Sequence, residues 1–140
     1  MARILVVDDN SDIRMALTGI LQEAGHRVVE ATDGSGAIDA VLSSDPSLIF
    51  LDAAMPGMDG FDTLRWLKSH PATRSIPVVM LTVLSRVEDR ERARTLGAFD
   101  YITKPWEDGE LELRAQWALA ASKSPARRFI SQPELSSLVA

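Results

Sequence analysis

Cysteine is absent from this 140-residue chain, which excludes a disulfide framework, a thiolate zinc centre and a cysteine nucleophile. Histidine is nearly absent: His26 and His70 are the only two, too few for a histidine metal cluster. An excess of basic charge is missing as well. The net charge of −5 and pI near 5.0 argue against direct, non-specific nucleic-acid binding as the main activity. No apolar run approaches the length of a membrane span. The first apolar stretch, Arg3–Val7, is too short for a signal-peptide core. These absences together predict a cytoplasmic protein with no membrane partner.

What is present fits one soluble domain with a proper core: 46% hydrophobic and 25% charged residues. Arg3–Val7, Arg27–Ala31, Leu48–Leu51, Ile76–Leu81 and Phe99–Ile102 read as short buried strands, apolar and rich in β-branched residues. Helices are predicted between them. The first opens at Asn10-Ser11, carries Ile13, Leu17, Ile20 and Leu21 at helical spacing, and stops at Gly25. The second opens at Asp33-Gly34 and stops before Pro46; the third carries Phe61, Leu64 and Leu67 and ends near His70-Pro71. The fourth, from Arg86, is dense in charge and is capped by Gly97; the last runs from about Glu107 to Ala121. Strands alternating with helices in this way predict a doubly wound α/β fold: a five-stranded parallel sheet with five helices. Residues 1–121 are read as the domain. Residues 122–140, rich in Ser, Pro and Arg, are read as a tail or the start of a linker.

In an open parallel sheet, ligands bind in the crevice at the carboxyl ends of the strands. The residues that end these strands are therefore the informative ones. Strand one runs into Asp8 and Asp9, strand three into Asp52, strand four into Thr82, and strand five toward Lys104. Each is commonplace by itself, since acids cap turns and Lys-Pro is an ordinary surface loop. Their arrival at one sheet edge is what carries chemistry. Three converging carboxylates repel unless a cation intervenes. Oxygen-only ligation suits a hard divalent ion, Mg²⁺ before others. Mg²⁺ often takes a phosphate oxygen as a further ligand, Lys104 adds a second positive charge, and Thr82 adds a hydroxyl donor. Phosphoryl transfer consists largely of such positioning and charge neutralisation, and Asp52 as nucleophile would form an aspartyl-phosphate.

The segments VVDDN at 6–10, LDAAMPGMDG at 51–60, MLT at 80–82 and DYITKP at 100–105 resemble response-regulator receiver domains of bacterial two-component signalling. The similarity runs from about Arg3 to Ala121. It implies a flavodoxin-like sheet in the order 2-1-3-4-5, with Asp52 as phosphoacceptor for a histidine kinase or histidine phosphotransfer protein. It further implies that Asp8, Asp9, Asp52 and the backbone carbonyl of Ala54 hold Mg²⁺, and that Lys104 contacts the phosphoryl oxygens. Thr82 and Tyr101 match the family's paired switch positions, and Lys104-Pro105 the site of a cis peptide. The implied output is a surface of helix 4, strand 5 and helix 5 that meets a downstream protein or a second copy.

Two residues depart from the family pattern. Val83 stands where a small residue is usual after the switch threonine, and Trp106 where phenylalanine is common. The last helix has one apolar stripe, Leu111, Ala115, Ala118 and Leu119, and a second nearly opposite, Leu113, Trp117 and Ala120. The second needs a cover: a partner, a homodimer mate, or the tail's own Phe129-Ile130. Leu135, Leu138 and Val139 are a candidate short docked helix. Rival readings are an N-terminal fragment of a longer regulator with a DNA-binding or enzymatic output domain, an aspartate-nucleophile phosphatase, and a flavin-binding module. The phosphatase would want a second acid where Ala54 stands. The flavin module would want a Gly/Ser/Thr-rich phosphate loop where Asp8-Asp9-Asn10 stands. The expectation is therefore a signalling switch and not a turnover enzyme.

Overall fold

Strand residues alternate between two cores, and that alternation sets the architecture. The computed structural model describes residues 1–122. Among these, five strands and five helices alternate: β1 (Arg3–Val7), α1 (Ser11–Glu23), β2 (Arg27–Ala31), α2 (Gly34–Ser44), β3 (Leu48–Leu51), α3 (Gly60–Ser69), β4 (Val78–Thr82), α4 (Val87–Thr95), β5 (Asp100–Thr103) and α5 (Glu110–Ser122). The strands form one parallel sheet in the order β2-β1-β3-β4-β5, as the resemblance implies. Leu5, Val7, Ile49, Leu51, Val78 and Met80 join Val41, Phe61, Leu64 and Leu67 in one core. Ile4, Val6, Leu48, Phe50, Val79 and Leu81 pack with Leu17, Leu21, Leu111, Ala115 and Ala118 in the other. Both faces of the sheet are thus covered, which is why the central strands β3 and β4, and β1 after Arg3, are almost wholly apolar.

Local chemistry starts α1 and α2, and stops α1 and α4, where the sequence predicts. The side chains of Asn10 and Asp33 accept from the backbone N–H groups of Ile13 and Gly36, at 3.0 and 2.7 Å. Gly25 and Gly97 take φ of 94° and 102°, the left-handed geometry that ends α1 and α4.

Several boundaries differ from the prediction: β4 ends at Thr82 and not Leu81, β5 is Asp100–Thr103 and not Phe99–Ile102, and the starts of β4 and α5 lie two or more residues later. Ile76 is buried but does not belong to β4, because Pro77 has no N–H to give the ladder. The Pro77 carbonyl still accepts from Ile49 N–H at 3.0 Å, so pairing enters through the acceptor alone. The last helix begins at Glu110, after Gly109 at φ 81°, and not near Glu107. There the Glu110 side chain reaches back to Glu107 N–H at 2.9 Å, a cap the composition does not announce.

Helix α4 is weakly held. Its Arg86 N-cap makes no side-chain hydrogen bond, and only Asp89 and Ala93 are buried. Val87, one of its two apolar residues apart from threonine, is exposed. Its remaining anchors are guanidinium-on-ring contacts: Arg90 over Tyr101 at 5.1 Å and Arg92 over Phe61 at 4.2 Å. On α5 the first stripe is buried at Leu111, Ala115 and Ala118, with Leu119 packed at its margin. Leu113 on the second stripe is exposed, while Trp117 is half-buried with the Arg114 guanidinium 5.6 Å from its ring. The expected covers Phe129-Ile130, and the candidate helix near Leu135, lie outside the described residues. Among the described residues, no helix is long and apolar enough to cross a membrane.

Candidate functional site

The carboxyl ends of β1 and β3 are adjacent in the sheet, so parallel pairing places the residues that follow them side by side. The Asp52 N–H donates to the Val7 carbonyl at 3.0 Å, and the Asp8 N–H to the Ala31 carbonyl at 3.2 Å. Asp8, Asp9 and Asp52 each present a carboxylate oxygen within 4.8 Å of the others. Asp8 and Asp52 are buried and Asp9 is exposed, so the cluster has a closed floor and an open rim.

Lys104 comes in from the loop after β5, its N–H donating to the Thr82 carbonyl at 2.9 Å. Its Nζ donates to Asp8 Oδ2 at 2.6 Å and to Asp52 Oδ2 at 3.3 Å, bridging two strands. The Lys104-Pro105 peptide is cis. Asp52 Oδ1 accepts from the Ala54 N–H at 3.0 Å, and Asp8 Oδ1 from the Asn10 N–H at 2.9 Å. Each buried carboxylate therefore has one oxygen held by backbone and one shared with the lysine.

Burial pushes the Asp52 carboxyl above its ordinary range, and the Asp8 charge adds to this. The Ala54 N–H, Lys104 and the Thr82 hydroxyl oppose it. A carboxylate raised by desolvation and crowded by like charge gains from an added cation, and the donors present are all hard oxygens. The cluster therefore fits Mg²⁺ or a similar divalent ion. Such an ion would be held by Asp8, Asp9, Asp52 and the carbonyl of Ala54, which lines the same cleft.

That cleft has a volume of about 480 Å³, and its walls include Ile13, Val83, Pro105 and Trp106 beside the acids. Val83 is 64% exposed at its mouth. Thr82 is fully buried, and its Oγ1 accepts from the Leu84 N–H at 3.3 Å. Tyr101, on the neighbouring strand, is also buried, and its hydroxyl donates to the Leu84 carbonyl at 2.6 Å. Burial pushes the Tyr101 phenol up to about 12, so it stays a donor. The residues between β4 and α4 are thus tied at Leu84 to both Thr82 and Tyr101.

All the sequence-predicted residues except Tyr101 meet at the cleft or border it; Tyr101 stands behind it, against α4. Two contributors were not foreseen. Gly60, at the start of α3, abuts the backbone of Asp52 and Ala53, and its N–H donates to the Ala53 carbonyl at 3.0 Å. Arg14, on α1, donates to the Asp8 carbonyl at 2.8 Å.

Residues 4–116 match the sequence profile of the response regulator receiver domain. The phosphate regulon transcriptional regulatory protein PhoB of Escherichia coli is 44% identical over 112 residues, 80% of this chain and 49% of PhoB. Protein PilH of Pseudomonas aeruginosa is 35% identical over 111 residues, 79% of this chain and 92% of PilH. The chemotaxis response regulator CheY4 of Vibrio cholerae superposes with a TM-score of 0.79 at 30% identity, covering 85% of this chain and 99% of CheY4. The chain thus spans about half the length of PhoB and most of PilH.

Proposed function

The chain belongs to the response-regulator receiver family, and from that premise we propose that it is a phosphorylation-controlled switch with Asp52 as phosphoacceptor. The observation that carries this reading is the lysine-bridged acid cluster: three carboxylates within 4.8 Å, two of them sharing the Lys104 ammonium. Asp52 Oδ2 is the attacking oxygen. It forms a bond to phosphorus as the P–N bond of a phosphohistidine breaks, and the electron pair returns to the imidazole of a histidine kinase or histidine phosphotransfer protein. Lys104 follows the charge from the carboxylate to the phosphoryl oxygens, and the Thr82 hydroxyl donates to one of them. Bound Mg²⁺ supplies the remaining neutralisation of those oxygens. With such a donor, the reaction is read as a cytoplasmic one.

The product biases a surface rather than being turned over. When the Thr82 hydroxyl is drawn to the phosphoryl group, its hold on Leu84 changes, and Leu84 is where Tyr101 is tethered. Helix α4, with two buried side chains and no side-chain N-cap, resists such a shift weakly. The output surface is α4, β5 and α5, meeting a downstream protein or a second copy. The phosphatase alternative lacks its general acid at Ala54, so the chain catalyses only its own phosphotransfer and dephosphorylation. The PhoB match over half of PhoB's length favours, as a second reading of the output, a receiver that serves a further domain.

Incubation with a small phosphodonor and Mg²⁺ should add the mass of one phosphoryl group, and chelation of the metal should prevent it. Intact-mass spectra with no adduct under either condition would sink the reading. Val83 stands exposed at the mouth of the cleft and shields the phosphoryl position from attacking water. Val83→Ala is therefore expected to shorten the lifetime of the aspartyl-phosphate a few-fold. Decay of the adduct at the wild-type rate would remove that role from Val83.

A further inference from the structure

The acid cluster has a support on its far side that the chemistry above does not use. Arg14 lies in the second turn of α1, its side chain 17% exposed. Its Nη1 donates to the Asp8 carbonyl at 2.8 Å, and its Nε pairs with Glu30 Oε1 on β2 at 3.1 Å. A planar guanidinium makes two such directed bonds at once; a lysine ammonium on a flexible stem does not reproduce that geometry.

The accepting carbonyl belongs to the peptide unit that joins Asp8 to Asp9. Holding it fixes the backbone on both sides, and with it the direction in which each acid leaves the chain. Asp8 has other restraints: its N–H on Ala31, its Oδ1 on Asn10 and its Oδ2 on Lys104. Asp9 does not. Its side chain is exposed, and among the described residues its carboxylate has no hydrogen-bond or ion-pair partner. The aim of Asp9 into the cluster therefore depends on its backbone, which Arg14 pins and Glu30 braces.

We propose that Arg14 is a positioning residue of the divalent-cation site, orienting the Asp8–Asp9 peptide through its bond to the Asp8 carbonyl. The proposal rests on the reading of Asp8 and Asp9 as the cation-holding pair. It makes a prediction of distinctive sign. By charge alone, removing a guanidinium beside three carboxylates would tighten cation binding. By positioning, it weakens binding, because Asp9 loses its aim.

The test is calorimetric titration with Mg²⁺ alone, in the absence of any phosphodonor, alongside metal-free thermal melts. Arg14→Ala should bind Mg²⁺ more weakly by on the order of tenfold, the usual scale for losing an outer support of a ligand. Arg14→Lys keeps the charge but not the fork, and should fall between Arg14→Ala and wild type. Glu30→Gln keeps an acceptor for the Arg14 Nε–H but removes the charge of that brace, and should weaken binding least. Equal or tighter binding by Arg14→Ala overturns the proposal. If that variant does not fold, Arg14→Lys decides by the same criterion. Wild type that binds no Mg²⁺ overturns the cation reading of the acid pair itself, and is seen before any variant is compared.

Discussion

Asp52→Asn should take up no phosphoryl group and should melt a few degrees higher than wild type at neutral pH. The first effect follows from chemistry, because an amide oxygen is not a competent nucleophile for phosphorus at this site. The second follows from burial. Desolvation is the largest influence on the Asp52 carboxyl and raises its pKa, with Asp8 reinforcing it. The folded pKa therefore lies above the unfolded one, so the native state binds this proton more tightly. Its stabilising contribution is full below the unfolded pKa and is lost as pH rises through the folded value. At neutral pH the protein carries the cost of a desolvated charge that asparagine, nearly isosteric and neutral, avoids. Lys104 keeps its closer partner, Asp8 at 2.6 Å, and is not orphaned. The gain in melting temperature should shrink as pH is lowered from neutral into the ordinary carboxylate range. Phosphodonor labelling of the variant at the wild-type level would remove Asp52 from its role. A lower melting temperature at neutral pH would contradict the desolvation argument.

Gly60→Ala is the second large effect, and it needs no change of charge. A Cβ at residue 60 would lie 2.1 Å from the Asp52 carbonyl oxygen and 2.5 Å from the Ala53 Cα. Both are backbone atoms next to the phosphoacceptor, so neither can move aside as a side chain would. Either α3 withdraws, stretching the Gly60 N–H bond to Ala53, or the Asp52 peptide turns and misdirects its carboxylate. The expected cost is about 3 kcal/mol, the upper end of ordinary overpacking, with phosphorylation slowed severely. Gly19→Ala is the matched control. Gly19 lies within α1 with nothing within 4 Å of the added methyl, so the change should stabilise by about 0.5–1 kcal/mol. Urea unfolding midpoints of the two variants should move in opposite directions. A Gly60→Ala protein as stable as wild type would show that the α3 start is not seated on the Asp52 backbone.

Much of this was legible in the sequence because it depends on local chemistry. Asn10 and Asp33 cap helices by bonding a backbone N–H three residues on, a rule that needs no tertiary knowledge. The five polar residues at the ends of strands one, three, four and five pointed to one edge because parallel topology leaves no other place for them. Gly60 was not legible. In the stretch PGMDG, Gly57 and Gly60 look alike as loop punctuation, yet Gly57 takes φ 72° in open space while Gly60 is pressed against the backbone that follows β3. The distinction is a contact across the β3–α3 loop, and the spacing of the two glycines carries no trace of it. Arg14 was hidden for a similar reason, since its partners, Asp8 and Glu30, belong to other elements. The starts of β4 and α5 were missed where the backbone pairing of one residue, Pro77 or Glu107, overrode an apolar or acidic run.

The ammonium of Lys104, held between Asp8 and Asp52, also sets how firmly the cluster can grip an ion. Without it the three acids would present a charge of about −3 in a partly desolvated cleft and would retain a divalent cation tenaciously. With it the cluster presents about −2, which one divalent ion balances without excess. On the proposed cation reading, the lysine should therefore weaken the grip on the ion, so that occupancy follows the ion's free concentration.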